Sequence, residues 1–277
     1  MSKKIHSVSS TDSFLSLRNY DFKKVYSVAY AFARRDLQLR YVQTRLGWFW
    51  SIGQPLLAAG LILIVFSWIV KIQAPDGIDY SIYAFASLPS WLLMQQIILQ
   101  GSPSLVHNQH IISKVAFPRQ ALPLSKVLIG LLDFGVASIM YYIFRGVKLG
   151  VWDFMVFDFL FYSSCTIFAA LGITYWIAAI STRFRDWLAI LPLLIQGLFL
   201  LSPIAYPSSR FNSSLGENIW VLYLNPMVAI SDGFRSLWLK TELWNENIYI
   251  SFIMVFLLFV SGFIAIRYAE NKMVDTL

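Results

Sequence analysis

Ile52-Gly-Gln-Pro-Leu-Leu-Ala-Ala-Gly-Leu-Ile-Leu-Ile-Val-Phe-Ser-Trp-Ile-Val70 contains no charge. A bilayer core about 30 Å thick takes roughly 20 apolar residues in a helix, so this stretch reads as a membrane span. Five comparable windows follow: Ile82–Gln100, which contains Pro89; Leu122–Phe144, interrupted by Lys126 and Asp133; Phe154–Ile180; Trp187–Tyr206; and Ile248–Ile266. The composition agrees. Of 277 residues, 57% are hydrophobic and 13% charged, with mean hydropathy +0.61, and a soluble domain carries about twice that charge. Cys165 is the only cysteine, which excludes an internal disulfide. The expected fold is an all-α integral membrane protein with six transmembrane helices, forming one permease domain over 21–277. Residues 1–20 are expected to be a disordered tail.

Loop charge orients the set. Nine Lys and Arg precede residue 48 with no apolar segment among them, so the first span is expected to remain an uncleaved anchor rather than a signal peptide. With the N-terminus cytoplasmic, the same side carries Lys114, Arg119, Lys126, Arg183, Arg185, Arg267 and Lys272. The other side carries Lys71, Arg145, Lys148, Arg210, Arg235 and Lys240. That bias places both termini in the cytoplasm. It also accounts for the net charge of +7 without nucleic acid, which is not expected as a partner.

Three segments lie outside the spans. In residues 22–41, Phe22, Val25, Tyr26, Ala29, Phe32 and Ala33 recur at helical spacing beside Lys23, Lys24, Arg34 and Arg35, the pattern of an amphipathic interface helix. Residues 101–120 form a polar connector with Pro103 and Pro118. Residues 207–247 form a long external segment in which Met227, Ile230, Phe234, Leu237 and Trp238 share one helical face after Pro226, as an interfacial or re-entrant helix would.

Catalytic and metal chemistry find little support. No glycine is followed by lysine, so there is no Walker A phosphate cradle, and HExxH, CxxC and GxSxG are absent. His107 and His110, without a nearby carboxylate or cysteine, read as polar connector residues rather than metal ligands. Cys165, mid-span among small residues, reads as packing. Asp133 stands near the middle of the third window, with Lys126 two turns earlier on the same face. It is either a proton-relay or polar pore position, or a carboxylate hydrogen-bonded to a neighbouring helix while Lys126 snorkels to the headgroups. Aromatics make up 17% of the chain; some form interface belts, and others offer faces on which sugars stack.

Three motifs resemble the polysaccharide-exporting ABC-2-type permeases, most closely the O-antigen (lipopolysaccharide) permeases of the Wzm family. The first is Arg35-Asp36-Leu37, Arg40-Tyr41, Thr44, Leu46-Gly47, Trp50 and Pro55-Leu56-Leu57. The second is Asn108, Ile111-Ile112, Lys114, Phe117-Pro118-Arg119 and Pro123. The third is Phe184-Arg185-Asp186, then Ser202-Pro203-Ile204 and Asn225-Pro226-Met227. The order holds from about residue 21 to 267. Ile111-Ile112 stand where the family has Leu-Ile, and Leu224 where an aromatic is common.

The resemblance implies a non-enzymatic permease of the bacterial inner membrane, working as a homodimer with two copies of a separate ATPase subunit that binds ATP and Mg. The cargo it implies is a polyprenyl-diphosphate-linked glycan moved outward through a channel at the dimer interface; capsule and teichoic-acid export use similar machinery. Ion-coupled transport and membrane glycosyl transfer are the alternatives of a different class. The connector, with Asn108, Ile111, Ile112, Lys114, Phe117 and Pro118, then corresponds to the helix that couples to the ATPase. Arg34, Arg35, Arg40, Arg45, Leu46, Gly47, Trp48 and Trp50 correspond to the interface helix and cytoplasmic entrance, where the arginines also suit a lipid diphosphate. Pro203, Tyr206, Asn225 and Pro226 fall in the external gate region of re-entrant helices. No cofactor is expected in this chain.

Overall fold

The computed structural model describes residues 22–42, 49–72, 74–115, 117–211, 215–240 and 246–275. The expected tail 1–20 and Arg45, Leu46, Gly47 and Trp48 lie outside them. The described residues form helices and turns, without a strand.

The expected amphipathic helix is α1, Phe22–Val42. Val25, Ala29 and Ala33 form its buried stripe, Val25 and Ala29 lying against Ala121 and Leu124, while Phe22 and Tyr26 are exposed. The apolar pattern is therefore split. Small residues at i, i+4 and i+8 let α1 lie close along the next bundle helix, and Phe22, Tyr26 and Tyr30 face outward. The first span is α2, Trp50–Ile62, continued by a π-helical stretch Leu63–Ile69 whose end is marked by a bond from Val70 N–H to the Val65 carbonyl.

Helix α3, Tyr80–Gly101, is capped by Asp79, whose carboxylate accepts from Ser81 N–H at 2.8 Å. It is the central helix, buried over most of its length, including Pro89. Two short helices, α4 (Ser104–His107) and α5 (Gln109–Ile112), make up the connector. Helix α6, Ala121–Leu149, extends past the expected Phe144 and stops at Gly150, whose φ of +70° suits glycine. Helix α7 is Val156–Ser181, and α8 is Asp186–Leu201.

Helix α8 differs from the fifth window. It has 16 residues, about 24 Å of helix, and does not reach Tyr206. The cause is local. Pro203 pushes the preceding residue out of the α region, and Ser202 is extended at φ −96°, ψ 136°. Among the described residues, five helical segments are long and apolar enough to cross a membrane: Ile52–Ile69, Tyr80–Gly101, Ala121–Leu149, Val156–Ser181 and Ile248–Glu270.

After two 3₁₀ segments (Ser208–Phe211 and Gly216–Leu224), Asn225 caps α9, Pro226–Leu239, by accepting from Met227 N–H at 3.0 Å. This is the expected post-Pro226 helix, but it is buried on nearly every side, not one. The last helix is α10, Ile248–Asp275. It meets α7 where Gly172 and Gly262 allow the two backbones to touch; a β-carbon on Gly172 would lie 2.5 Å from the Leu258 carbonyl. Small residues at such crossings are how helices pack in lipid, where no hydrophobic force joins them.

Candidate functional site

Buried charge is expensive at membrane depth, so its partners locate what the bundle is built around. Helix α1 presents Asp36 and Arg40 one turn apart, and α6 presents Lys126 and Asp133 two turns apart. They meet pairwise. Lys126 Nζ lies 2.5 Å from Asp36 Oδ2, and Arg40 Nη1 lies 2.6 Å from Asp133 Oδ2. Gln96 Nε2 on α3 donates to the same Asp133 oxygen at 2.9 Å, and Arg40 Nη2 donates to Gln54 Oε1 on α2 at 3.1 Å. Asp133 is thus hydrogen-bonded to neighbouring helices, and Lys126 is bound to α1 instead of reaching for headgroups. For Asp36, partial burial raises the carboxyl pKa, but the bonds from Lys126 and Arg35 outweigh it and hold the group below the usual carboxylate range.

The Arg40–Asp133 pair borders a cavity of about 370 Å³ between α1, α2, α3 and α6. Its polar wall is Gln54, Gln95, Gln96 and Gln100, and its apolar wall includes Leu92, Leu99 and Phe134. Amide side chains offer both hydrogen-bond donors and acceptors. Arg34 is exposed, and Trp50 lies partly exposed at the start of α2.

The same charged strip reaches the connector. Arg35 Nε donates to Asp36 Oδ1 at 2.8 Å, and Arg35 Nη2 donates to Asn108 Oδ1 at 3.3 Å. Asn108 separates α4 from α5, and its amide donates back to the Ser104 carbonyl at 2.8 Å. Of the connector residues singled out above, Ile112 and Phe117 pack against the bundle's own core, Ile111 and Pro118 are half-buried, and Lys114 is exposed beside Val115. Phe117 also lies against Phe32 of α1, ring centroids 5.5 Å apart. Arg119 closes the connector onto the end of α10, its backbone N–H donating to Glu270 Oε1 at 3.0 Å.

At the other end, Pro203 and Pro226 are buried, Asn225 donates to Ser202 Oγ at 2.9 Å, and Tyr206 donates to the Leu200 carbonyl. These residues converge on a pair that charge counting had placed in an external loop. Arg235 is fully buried on α9, 3.2 Å from Asp232 Oδ1, donating to the Ile204 carbonyl at 2.6 Å and stacked 4.1 Å over Tyr83. Arg145, likewise assigned to a loop, is buried and ion-paired with Asp153, which also meets Lys240. The Asp232–Arg235 spacing of three inside an apolar helix was the signal available in sequence. Among the described residues no group of three His, Cys, Asp or Glu side chains converges, His107 and His110 are exposed, and Cys165 is buried.

Comparison with known proteins bears on this arrangement. The chain is 25% identical over 249 residues to an O-antigen export system permease protein RfbA of Klebsiella pneumoniae, spanning 88% of this chain and 92% of that one. It is 26% identical over 213 residues to the O-antigen export system permease protein RfbA of Myxococcus xanthus, spanning 76% and 79%. The family described as ABC-2 type transporter matches residues 28–239, which include most of α1, the cavity, the connector and α9. The chain therefore belongs to the ABC-2 type transporter family and is a multi-pass membrane permease.

Proposed function

We propose that this chain is the membrane subunit of an ATP-driven exporter that moves polyprenyl-diphosphate-linked O-antigen polysaccharide from cytoplasm to periplasm. In this reading α8, though short, is the fifth of six crossings, and both termini face the cytoplasm of a bacterial inner membrane. Two copies of the chain form the channel between them, and two ATPase subunits supply ATP hydrolysis with Mg. The likeness to O-antigen export permeases supports the cargo.

The observation that carries the reading is the continuous polar path from connector to cavity. Asn108 holds Arg35; Asp36 holds both Arg35 and Lys126; one turn on, Arg40 holds Asp133 and Gln54 at the cavity wall. A partner that shifts the connector as a rigid unit displaces α1 and α6 through these bonds. Exposed Lys114 and Val115 are the connector's contact points for such a partner.

The test removes the chain from its host and locates polyprenyl-linked glycan with a glycosidase that cannot the membrane traverse. Long polymer confined inside supports polymer export, and its composition names the cargo. Polymer outside at normal levels, in a host without a second exporter, overturns it. Lys114→Glu with Val115→Asp is expected to abolish co-purification of the ATPase while leaving membrane insertion intact.

A further inference from the structure

A second and larger cavity, about 1130 Å³, opens between the connector and the adjoining ends of α7 and α10. It uses neither the glutamine wall nor α2. Its walls are Trp176 and Ile180 from α7 and Ile264 and Tyr268 from α10, with Arg183 and His110 at its mouth. Trp176 Nε1 donates to Ser261 Oγ at 3.0 Å, which ties the two helices together at the deep end. Arg185, beside the mouth, donates to Gln109 at 3.2 Å, and the Arg183 guanidinium lies 5.2 Å over Phe184.

We propose that this groove holds a phospholipid with an anionic headgroup. Two features favour lipid over protein. The two helical walls lie within the segments Val156–Ser181 and Ile248–Glu270, which are apolar enough to cross the membrane, and the connector forms the remaining wall. From Ser261 to Tyr268 the groove descends about 10 Å along α10, at a rise of 1.5 Å per residue. A water-soluble partner does not reach that depth, and an acyl chain does. The mouth is cationic: Arg183 and Arg185 stand where the walls end, the arrangement by which basic pockets at helix ends take anionic headgroups. The phosphate sits at Arg183, and the proximal acyl carbons lie against Ile180 and Ile264. The inference rests on the spanning of α7 and α10, not on the cargo.

The experiment uses the full chain in uncharged detergent, with phosphatidylglycerol and phosphatidylcholine of matched acyl chains at equal concentration, read by native mass spectrometry. The expected result is retention of phosphatidylglycerol at least five-fold over phosphatidylcholine. Arg183→Gln, an exposed position, is expected to lower that preference about five-fold, equivalent to about 1 kcal/mol for one cation near a headgroup. Ala265→Phe fills the groove and is expected to remove both lipids while the lipid-free melting temperature is unchanged. Unchanged preference in Arg183→Gln, or lipid retention in Ala265→Phe equal to the parent, overturns the proposal. In cells, a photoreactive residue at position 264 is expected to form lipid adducts; an adduct with a second protein instead overturns it in favour of a protein-covered groove.

Discussion

Arg40→Ala is expected to loosen α1 from the bundle by about 2–3 kcal/mol. The figure follows from the pair's surroundings. Arg40 Nη1 is 2.6 Å from Asp133 Oδ2, with side chains 24% and 14% exposed. A hydrogen bond to a charged group contributes about 1.5–3 kcal/mol net, and a freely exposed pair only about 0.2–1. This pair is mostly covered, so its coupling belongs near the lower end of the first range. Arg40→Ala also leaves Asp133 charged with Gln96 as a remaining donor. A fully enclosed orphan charge costs about 3–5 kcal/mol; the adjoining cavity, wide enough for water, reduces that. Asp133→Asn keeps an oxygen for both donors and is expected to cost about 1 kcal/mol and to leave export largely intact.

The double-mutant cycle of Arg40→Ala with Asp133→Ala should return a coupling near 1.5 kcal/mol. The assay is thiol labelling. With Cys165→Ser as background, Val25→Cys places a single thiol on the buried stripe of α1. Its labelling rate follows the fraction of time α1 is undocked, so Arg40→Ala should raise the rate about thirty-fold or more, as about 2 kcal/mol requires. Labelling as slow as in the parent, or a coupling below about 0.5 kcal/mol, refutes the strap between α1 and α6.

Three further outcomes are expected. Gly172→Ala must move the α7–α10 crossing by several tenths of an ångström, an overpacking cost of about 1–3 kcal/mol, whereas Gly135→Ala, with open space around its β-carbon, should be neutral or slightly stabilising; equal melting temperatures for the two would contradict the close crossing. Because the folded pKa of Asp36 is depressed, its contribution to α1 docking is present above the unfolded value near 3.9 and lost as pH falls below it through the folded value. Acid titration of the melting temperature should therefore be steeper in the parent than in Asp36→Asn, and parallel curves would exclude the effect. Asp232→Ala strands the buried Arg235 and should cost about 3–5 kcal/mol, with Arg235→Met in the same chain recovering much of it; no recovery in a denaturation series would argue against the pair.

Span existence was legible in the chain because the hydrocarbon core imposes a length and a polarity on any helix that crosses it. Ile52–Val70, Ile82–Gln100 and Ile248–Ile266 fall within or close to helices of the structure for that reason. The start of α9 was legible too, since Asn225-Pro226 is a cap followed by a residue preset for the first turn. Even the early end of α8 was written in Ser202-Pro203, although hydropathy alone ran past it.

Partnership was not legible. Asp36 and Lys126 are 90 residues apart, and Arg40 and Asp133 are 93 apart; hydropathy and periodicity act over one or two turns and carry nothing across such distances. The same limit made Arg145 and Arg235 look like loop charges, when tertiary packing buries both and supplies their carboxylates. It also hid the two cavities, whose walls come from helices far apart in sequence. Sequence by itself determined that this chain crosses a membrane, and through its ordered motifs it indicated the permease family. Only the tertiary structure decided which buried charges neutralise one another, because that depends on which helix faces meet and not on what any one helix contains.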